Sequence, residues 1–307
     1  MFAAATEEQR RRRKGLLIAI AGAASVALNF ITAKYAMQAM NSLTFVTLWF
    51  VCAWTYASLY LLARRVDFTL PLCAHWKPLL GIGLLHCLTV VTGFTGLRLL
   101  DPTVTSFFSR SEVLFTALLG FVVLRERPGL DAWLGMALSL TGIAVLTYAT
   151  GSAQRLGVLL CLISAASAAM GYMMGKYVAS VSNPVVTVWY RSVVIATVVG
   201  IITVSTGHFS VPASWRHLAV LAFGAFVGPF GAQVLFFLSL RYISLSEVGV
   251  VRATSPLFVA VYAPLLLRMF PTPKQLIGGL IVVAGLILLA MAQPVVENRS
   301  HPPEQAT

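Results

Sequence analysis

The chain has 307 residues, of which 58% are hydrophobic and only 10% charged, against about 25% charged in soluble domains, so most of its surface faces lipid rather than water. Its formal net charge of +12 is then a question of where cations stand along a membrane-spanning chain, which sets nucleic-acid binding aside. No long alternation of the kind a membrane barrel needs is present, and no zinc, nucleophile-elbow or phosphate-loop motif speaks for an enzyme or a cofactor; the expected class is an all-α integral membrane protein.

A helix needs about 20 apolar residues to cross about 30 Å of hydrocarbon. Ten blocks meet that requirement. The first, 15–36, follows a basic cytoplasmic segment, 1–14, that ends in Arg10, Arg11, Arg12, Arg13 and Lys14. A cleavable secretory signal is the alternative reading of this start. Against it, the apolar run continues to Ala33, and a later part of the chain resembles it. Asn29 stands inside the block as a candidate hydrogen-bonding residue.

The second block, 42–63, carries Trp49, Trp54 and Tyr56, which suit either an organic ligand or anchoring at the membrane interfaces. The third, 78–98, is interrupted by Gly81, Gly83, Gly93 and Gly96 and holds His86, a candidate lining residue or a packing histidine. The fourth, 102–124, contains Arg110 and Glu112. At 1.5 Å per residue these lie about 12 Å and about 15 Å below Pro102, too deep to reach the interface. A charge at that depth costs about 2.5–3.5 kcal/mol and normally faces a polar interior. The two residues are about 200° apart around the helix, so they cannot pair with each other and each needs a partner elsewhere. Thr105, Ser109, Glu112 and Thr116 form one polar stripe at helical spacing. Glu112, the one carboxylate deep in a block, is a candidate carrier of a proton, or else half of a structural ion pair with Arg191 or Arg252.

The fifth block is 131–149. The sixth, 156–178, has Ser164, Ala168, Gly171 and Gly175 at helical spacing, a surface for close helix approach. The seventh, 184–205, carries Trp189, Tyr190 and Arg191. The eighth, 217–240, is interrupted by Gly224, Gly228, Pro229 and Gly231 and holds Gln233, a candidate polar lining residue. The ninth, 245–267, holds Arg252; the tenth is 273–293, before a disordered cytoplasmic tail, 294–307. Three arginines within blocks against one glutamate leave positive charge that an anionic ligand, water or backbone carbonyls must meet, or that ties helices together. The four cysteines, at 52, 73, 87 and 161, have no metal-ligand spacing and read as small apolar residues.

With the N-terminus inside, the inner side carries 13 Lys and Arg and the outer side 6, which puts both termini in the cytoplasm. Shifted by 143 residues, 97–146 aligns with 240–289 without a gap at 11 of 50 identical positions, among them Pro128 with Pro271, Gly135 with Gly278 and Gly142 with Gly285. Two five-helix copies, 15–150 and 151–293, follow. Five is odd, so the second copy enters from the opposite side, the inverted arrangement of alternating-access carriers with a site near the midplane.

The stretches "VLFTALLGFVVLRERP" with "WLG" and "LSLTGIAVL", and "PLFVA" in the second copy, resemble the EamA family of the drug/metabolite transporter superfamily. The resemblance implies a bacterial inner-membrane permease, ten helices around a central cavity, that exports a small metabolite such as an amino acid without an ATPase of its own. Glu112-Val113 stands where the second copy has Ser255-Pro256 and the family often has proline, so a kink is expected in the ninth span and not in the fourth. The expected ligand site is Asn29, His86, Arg110, Glu112, Trp189, Arg191, Gln233 and Arg252, with lipid, the metabolite and, under coupling, protons as partners. An uncoupled facilitator, an importer, or a receptor that moves nothing are the alternatives, and oligomeric state is left open.

Overall fold

A computed structural model describes residues 2–66, 70–123, 129–151, 154–179, 184–210, 214–239, 241–243 and 245–292. The expected tail, 294–307, Pro128 of the repeat match, the side chain of Cys73 and the surroundings of Gly175 lie outside the described residues. Helices account for every span: α1 (Phe2–Ala36), α2 (Ser42–Arg64), α3 (Leu70–Leu99), α4 (Pro102–Ser109), α5 (Glu112–Val123), α6 (Leu130–Thr150), α7 (Arg155–Ala179), α8 (Pro184–Ser205), α9 (Trp215–Ala225), α10 (Gln233–Ser239), α11 (Leu245–Ala253), α12 (Ser255–Tyr262) and α13 (Pro273–Met291). Among the described residues nine stretches are long and apolar enough to cross a bilayer, and α7 supplies the tenth span. Helix α1 runs without interruption from the basic segment into the first span.

Backbone groups inside hydrocarbon have no water to bond, so the helix ends are closed by the chain itself. Asn41 accepts the Thr44 N–H at 2.7 Å at the start of α2. Arg65 ends α2 in the left-handed conformation, φ 49°, with its N–H on the Leu61 and Leu62 carbonyls. Thr272 and Gln275 form a reciprocal capping box ahead of α13, with Pro273 in its first turn.

The fourth span is not one straight helix. Helix α4 stops at Ser109, and the chain turns through Arg110 and Ser111 before α5 starts at Glu112. The turn is a tightened one: Ser111 N–H donates to the Phe108 carbonyl at 3.0 Å and Val113 N–H to the Arg110 carbonyl at 3.1 Å, both three residues back. The ninth span breaks at the matching place, with Thr254 N–H on the Val251 carbonyl at 3.1 Å between α11 and α12. The expectation of a kink in the second copy alone is therefore corrected. Pro256 accompanies the break in α12, and the first copy makes the same break without proline, through a tightened turn around a buried charge.

The most extensive pairings join one copy to the other: α6 with α13, α3 with α7, α2 with α8, and α1 with the eighth span. The α6–α13 crossing depends on glycine. A Cβ on Gly142 would stand 2.5 Å from the Val282 backbone nitrogen, and one on Gly285 2.5 Å from that of Ser139. Ser164 donates to the Thr89 carbonyl at 2.7 Å across α3 and α7, and Gly96 faces the backbone of Gly157. Large apolar side chains such as Leu62, Val122, Leu130, Ile201, Leu265 and Met291 cover the exposed outer face, as a lipid-facing surface requires.

Helix α1 displays the inversion. At its C-terminal end Lys34 donates to the carbonyls of Leu97, Arg98 and Leu100, just before α4 starts. At its N-terminal end Arg12 pairs with Glu247, near the start of α11, at 2.8 Å. Helices α4 and α11 occupy equivalent positions in the two copies and start at opposite ends of the same spanning helix. Arg12 and Lys34 are about 33 Å apart at 1.5 Å per residue, the thickness of the hydrocarbon.

Candidate functional site

A cavity of about 190 Å³ lies where the two broken spans meet. This is below the ~300–1,000 Å³ of pockets for drug-sized ligands and suits a small one. Its wall takes residues from α1, α2, α3, α7, α8 and the eighth span, together with the broken fourth and ninth spans. Of the eight candidate residues, the structure brings seven to this wall: Asn29, His86, Arg110, Glu112, Arg191, Gln233 and Arg252. Trp189 stands elsewhere. Its indole N–H donates to Ser58 Oγ at 2.7 Å and its ring meets Trp54 and Tyr190 edge-on, so it ties α8 to α2.

The charges form one cluster. Arg110 Nη1 lies 3.0 Å from Glu112 Oε1, and Arg252 Nη2 lies 3.8 Å from the same oxygen. The expectation that Arg110 and Glu112 do not pair is corrected, because it assumed a straight helix. The break at Arg110–Ser111 turns the two side chains toward each other. Glu112 also sits in the first turn of α5, where unpaired N–H groups favour negative charge. The Arg252 guanidinium lies 4.6 Å from the centre of the Phe236 ring, a cation–π distance. Arg191 donates through Nη2 to the Pro229 carbonyl at 3.4 Å.

That carbonyl is presented by a π-helical segment, Phe226–Ala232, which joins α9 to α10. Proline lacks the N–H that a regular turn would use, so wider bonding takes over at Pro229, and such segments are frequent at functional sites. The eighth span thus brings Gly228, Pro229 and Ala232 to the wall, with Gln233 directly after.

Two glycines admit the polar side chains. Gly228 faces Asn29 so closely that a methyl group there would collide with Asn29 Oδ1. Gly171, which occupies in the second copy the place Asn29 has in the first, faces His86, whose Cε1 would be 3.0 Å from an added Cβ. His86 is buried, with Nδ1 at 2.9 Å from the Ile82 carbonyl. At each crossing of a first helix with a third helix of the other copy, one glycine and one polar side chain meet.

The polar stripe contributes only Glu112 to this wall. Thr105, Ser109 and Thr116 donate to carbonyls four residues back in their own helices, at 2.9, 2.9 and 2.7 Å. The wall also takes Thr89, Phe50, Phe94 and Phe236, which the sequence reading did not single out. Thr89 follows His86 by three residues and Phe236 follows Gln233 by three, the spacing of one helix face. Chemically the wall offers three permanently charged guanidiniums, one carboxylate, amides and aromatic faces, a set that suits a small ligand with an acidic group.

The EamA-like transporter family matches the chain twice, over residues 13–148 and 155–291. None of the curated proteins matches it. Among solved structures, one titled only as the crystal structure of a protein is 18% identical, with a TM-score of 0.65 over 91% of this chain and 97% of that one, a likeness of fold.

Proposed function

The chain belongs to the EamA-like transporter family, a family of membrane transporters, and from that premise we propose that it exports a small polar metabolite, such as an amino acid or an amino-acid derivative, across a bacterial inner membrane with both termini in the cytoplasm. The observation that supports this best is the convergence of Arg110, Arg191 and Arg252 with Glu112 on one cavity between the broken spans. The excess of guanidinium suits a ligand carboxylate, and Asn29, His86 and Gln233 suit its remaining polar groups. Exchange of conformation between two inverted copies gives alternating access to such a cavity.

Counterflow in proteoliposomes preloaded with an unlabelled amino-acid mixture tests this reading. Labelled substrate accumulates transiently if the chain transports, whereas a receptor binds without exchange. In Arg191→Gln the half-saturating concentration rises about tenfold or more, the equivalent of one charged hydrogen bond.

On coupling, two readings follow from Glu112. As a proton carrier it makes transport respond to a pH gradient, and Glu112→Gln abolishes the response. Its closeness to both Arg110 and Arg252 favours a second reading, a facilitator in which Glu112 holds the broken spans together. Transport indifferent to the gradient in the unaltered protein supports the second.

A further inference from the structure

The basic run Arg10–Lys14 is divided into two faces. Arg12 pairs with Glu247, Arg11 donates to the Arg241 carbonyl at 3.2 Å, and Lys14 lies 5.1 Å from the centre of the Tyr242 ring. At 100° per residue these three cover one arc of the helix, and Arg10 and Arg13 fall together on the remaining arc, about 60° apart. All five residues are exposed, and among the described residues no hydrogen bond or ion pair holds Arg10 or Arg13. The run directly precedes Gly15, which is buried against Tyr242 and Ile243, so the helix is docked on the protein where its charges emerge.

Depth decides what the free face meets. Arg12 stands one membrane thickness from Lys34 along a continuous helix, so Arg10 and Arg13 lie at the level of the lipid headgroups. Two guanidiniums that leave one docked helix a single turn apart can each donate to a phosphodiester oxygen, and an anionic leaflet concentrates that group beside them. The geometry points to Arg10 and Arg13 as a binding site for the phosphate of an anionic phospholipid, separate from the cavity and independent of what the cavity carries. The protein-facing arc positions this site, because Arg11, Arg12 and Lys14 fix the rotation of the helix. Glu7 and Glu8 precede the run, and their side chains lie outside the described residues.

The test is a titration of the full chain, purified in a neutral detergent, with dihexanoyl phosphatidylglycerol, read as a rise in melting temperature; dihexanoyl phosphatidylcholine and inorganic phosphate serve as the other arms. Phosphatidylglycerol is expected to protect, phosphatidylcholine and inorganic phosphate to protect much less, and 0.5 M salt to weaken the effect. The half-saturating concentration is expected to rise about fivefold in Arg10→Gln and again in Arg10→Gln/Arg13→Gln, with the lipid-free melting temperature unchanged. Unaltered protection of the double variant overturns the assignment, as does equal protection by phosphatidylcholine or by inorganic phosphate. If the double variant melts lower without lipid, Arg10→Lys/Arg13→Lys replaces it, which keeps charge and loses the paired geometry; weaker binding in that variant supports the site and unchanged binding overturns it.

Discussion

At the scale of residues, Glu112 faces two guanidiniums, those of Arg110 and Arg252. Its side chain is 13% exposed and that of Arg110 7%, so water screens the pair little. Removing the carboxylate leaves two guanidiniums facing each other across the space it occupied. Breaking a buried pair from one side costs about 3–5 kcal/mol, so Glu112→Gln is expected to lower the melting temperature of the purified protein substantially. Arg110→Gln is expected to do so as well, and the double variant to cost clearly less than the two single effects together, because only one of the two guanidiniums beside the lost carboxylate then remains. Additive losses would mean that the pair contributes no coupling. The cavity residues were legible in the sequence because a polar side chain in an apolar block is conspicuous: Asn29, His86, Gln233 and the three arginines all announced themselves that way. The pairing of Arg110 with Glu112 was not legible, since helical spacing describes an unbroken helix and the break is a tertiary outcome. Nor was Trp189 separable from Trp49, because aromatic composition does not say which side of a helix faces the cavity. The structure puts Trp49 on the wall and Trp189 against Ser58.

At the scale of elements, the pairing of α6 with α13 depends on what the helices lack. Gly135, Gly142, Gly278 and Gly285 place backbone against backbone, and a side chain at Gly142 would meet the main chain of α13 with no flexible end to move aside. Gly142→Ala is therefore expected to destabilise by about 1–3 kcal/mol, the usual cost of overpacking, read as a lower melting temperature in detergent. Gly129 is the control. Among the described residues nothing lies within 4 Å of a Cβ there, its φ of −67° suits any residue, and it caps the start of α6, so Gly129→Ser is expected to change stability by only a few tenths of a kcal/mol, if anything upward. Equal losses at the two positions would remove the packing argument. The glycine spacing was visible as a repeat match between the copies, which suggested close packing without saying which helix was the partner. The π-helical segment at Pro229 was visible only as an interruption; that it would hand a carbonyl to Arg191 depended on the approach of α8 from the same copy.

At the scale of the whole molecule, inversion links the repeat to the site. Each copy alone presents a broken fourth helix with its charge at mid-membrane, an arrangement that is unstable in lipid until a second broken helix faces it. Inverting one copy brings the breaks together at the same depth from opposite entries, so Arg110 and Arg252 reach one carboxylate although they lie on helices that run in opposite directions. This gives a direct test of orientation. In a chain with Cys52, Cys73, Cys87 and Cys161 replaced by alanine, single cysteines are introduced at Gly129, before α6, and at Phe270, before α13, two loops at equivalent places in the copies. A membrane-impermeant maleimide applied to intact cells is expected to label Phe270→Cys and to spare Gly129→Cys, and inside-out vesicles are expected to reverse the pattern. Labelling of both positions from the same side would make the copies parallel and overturn the inverted arrangement.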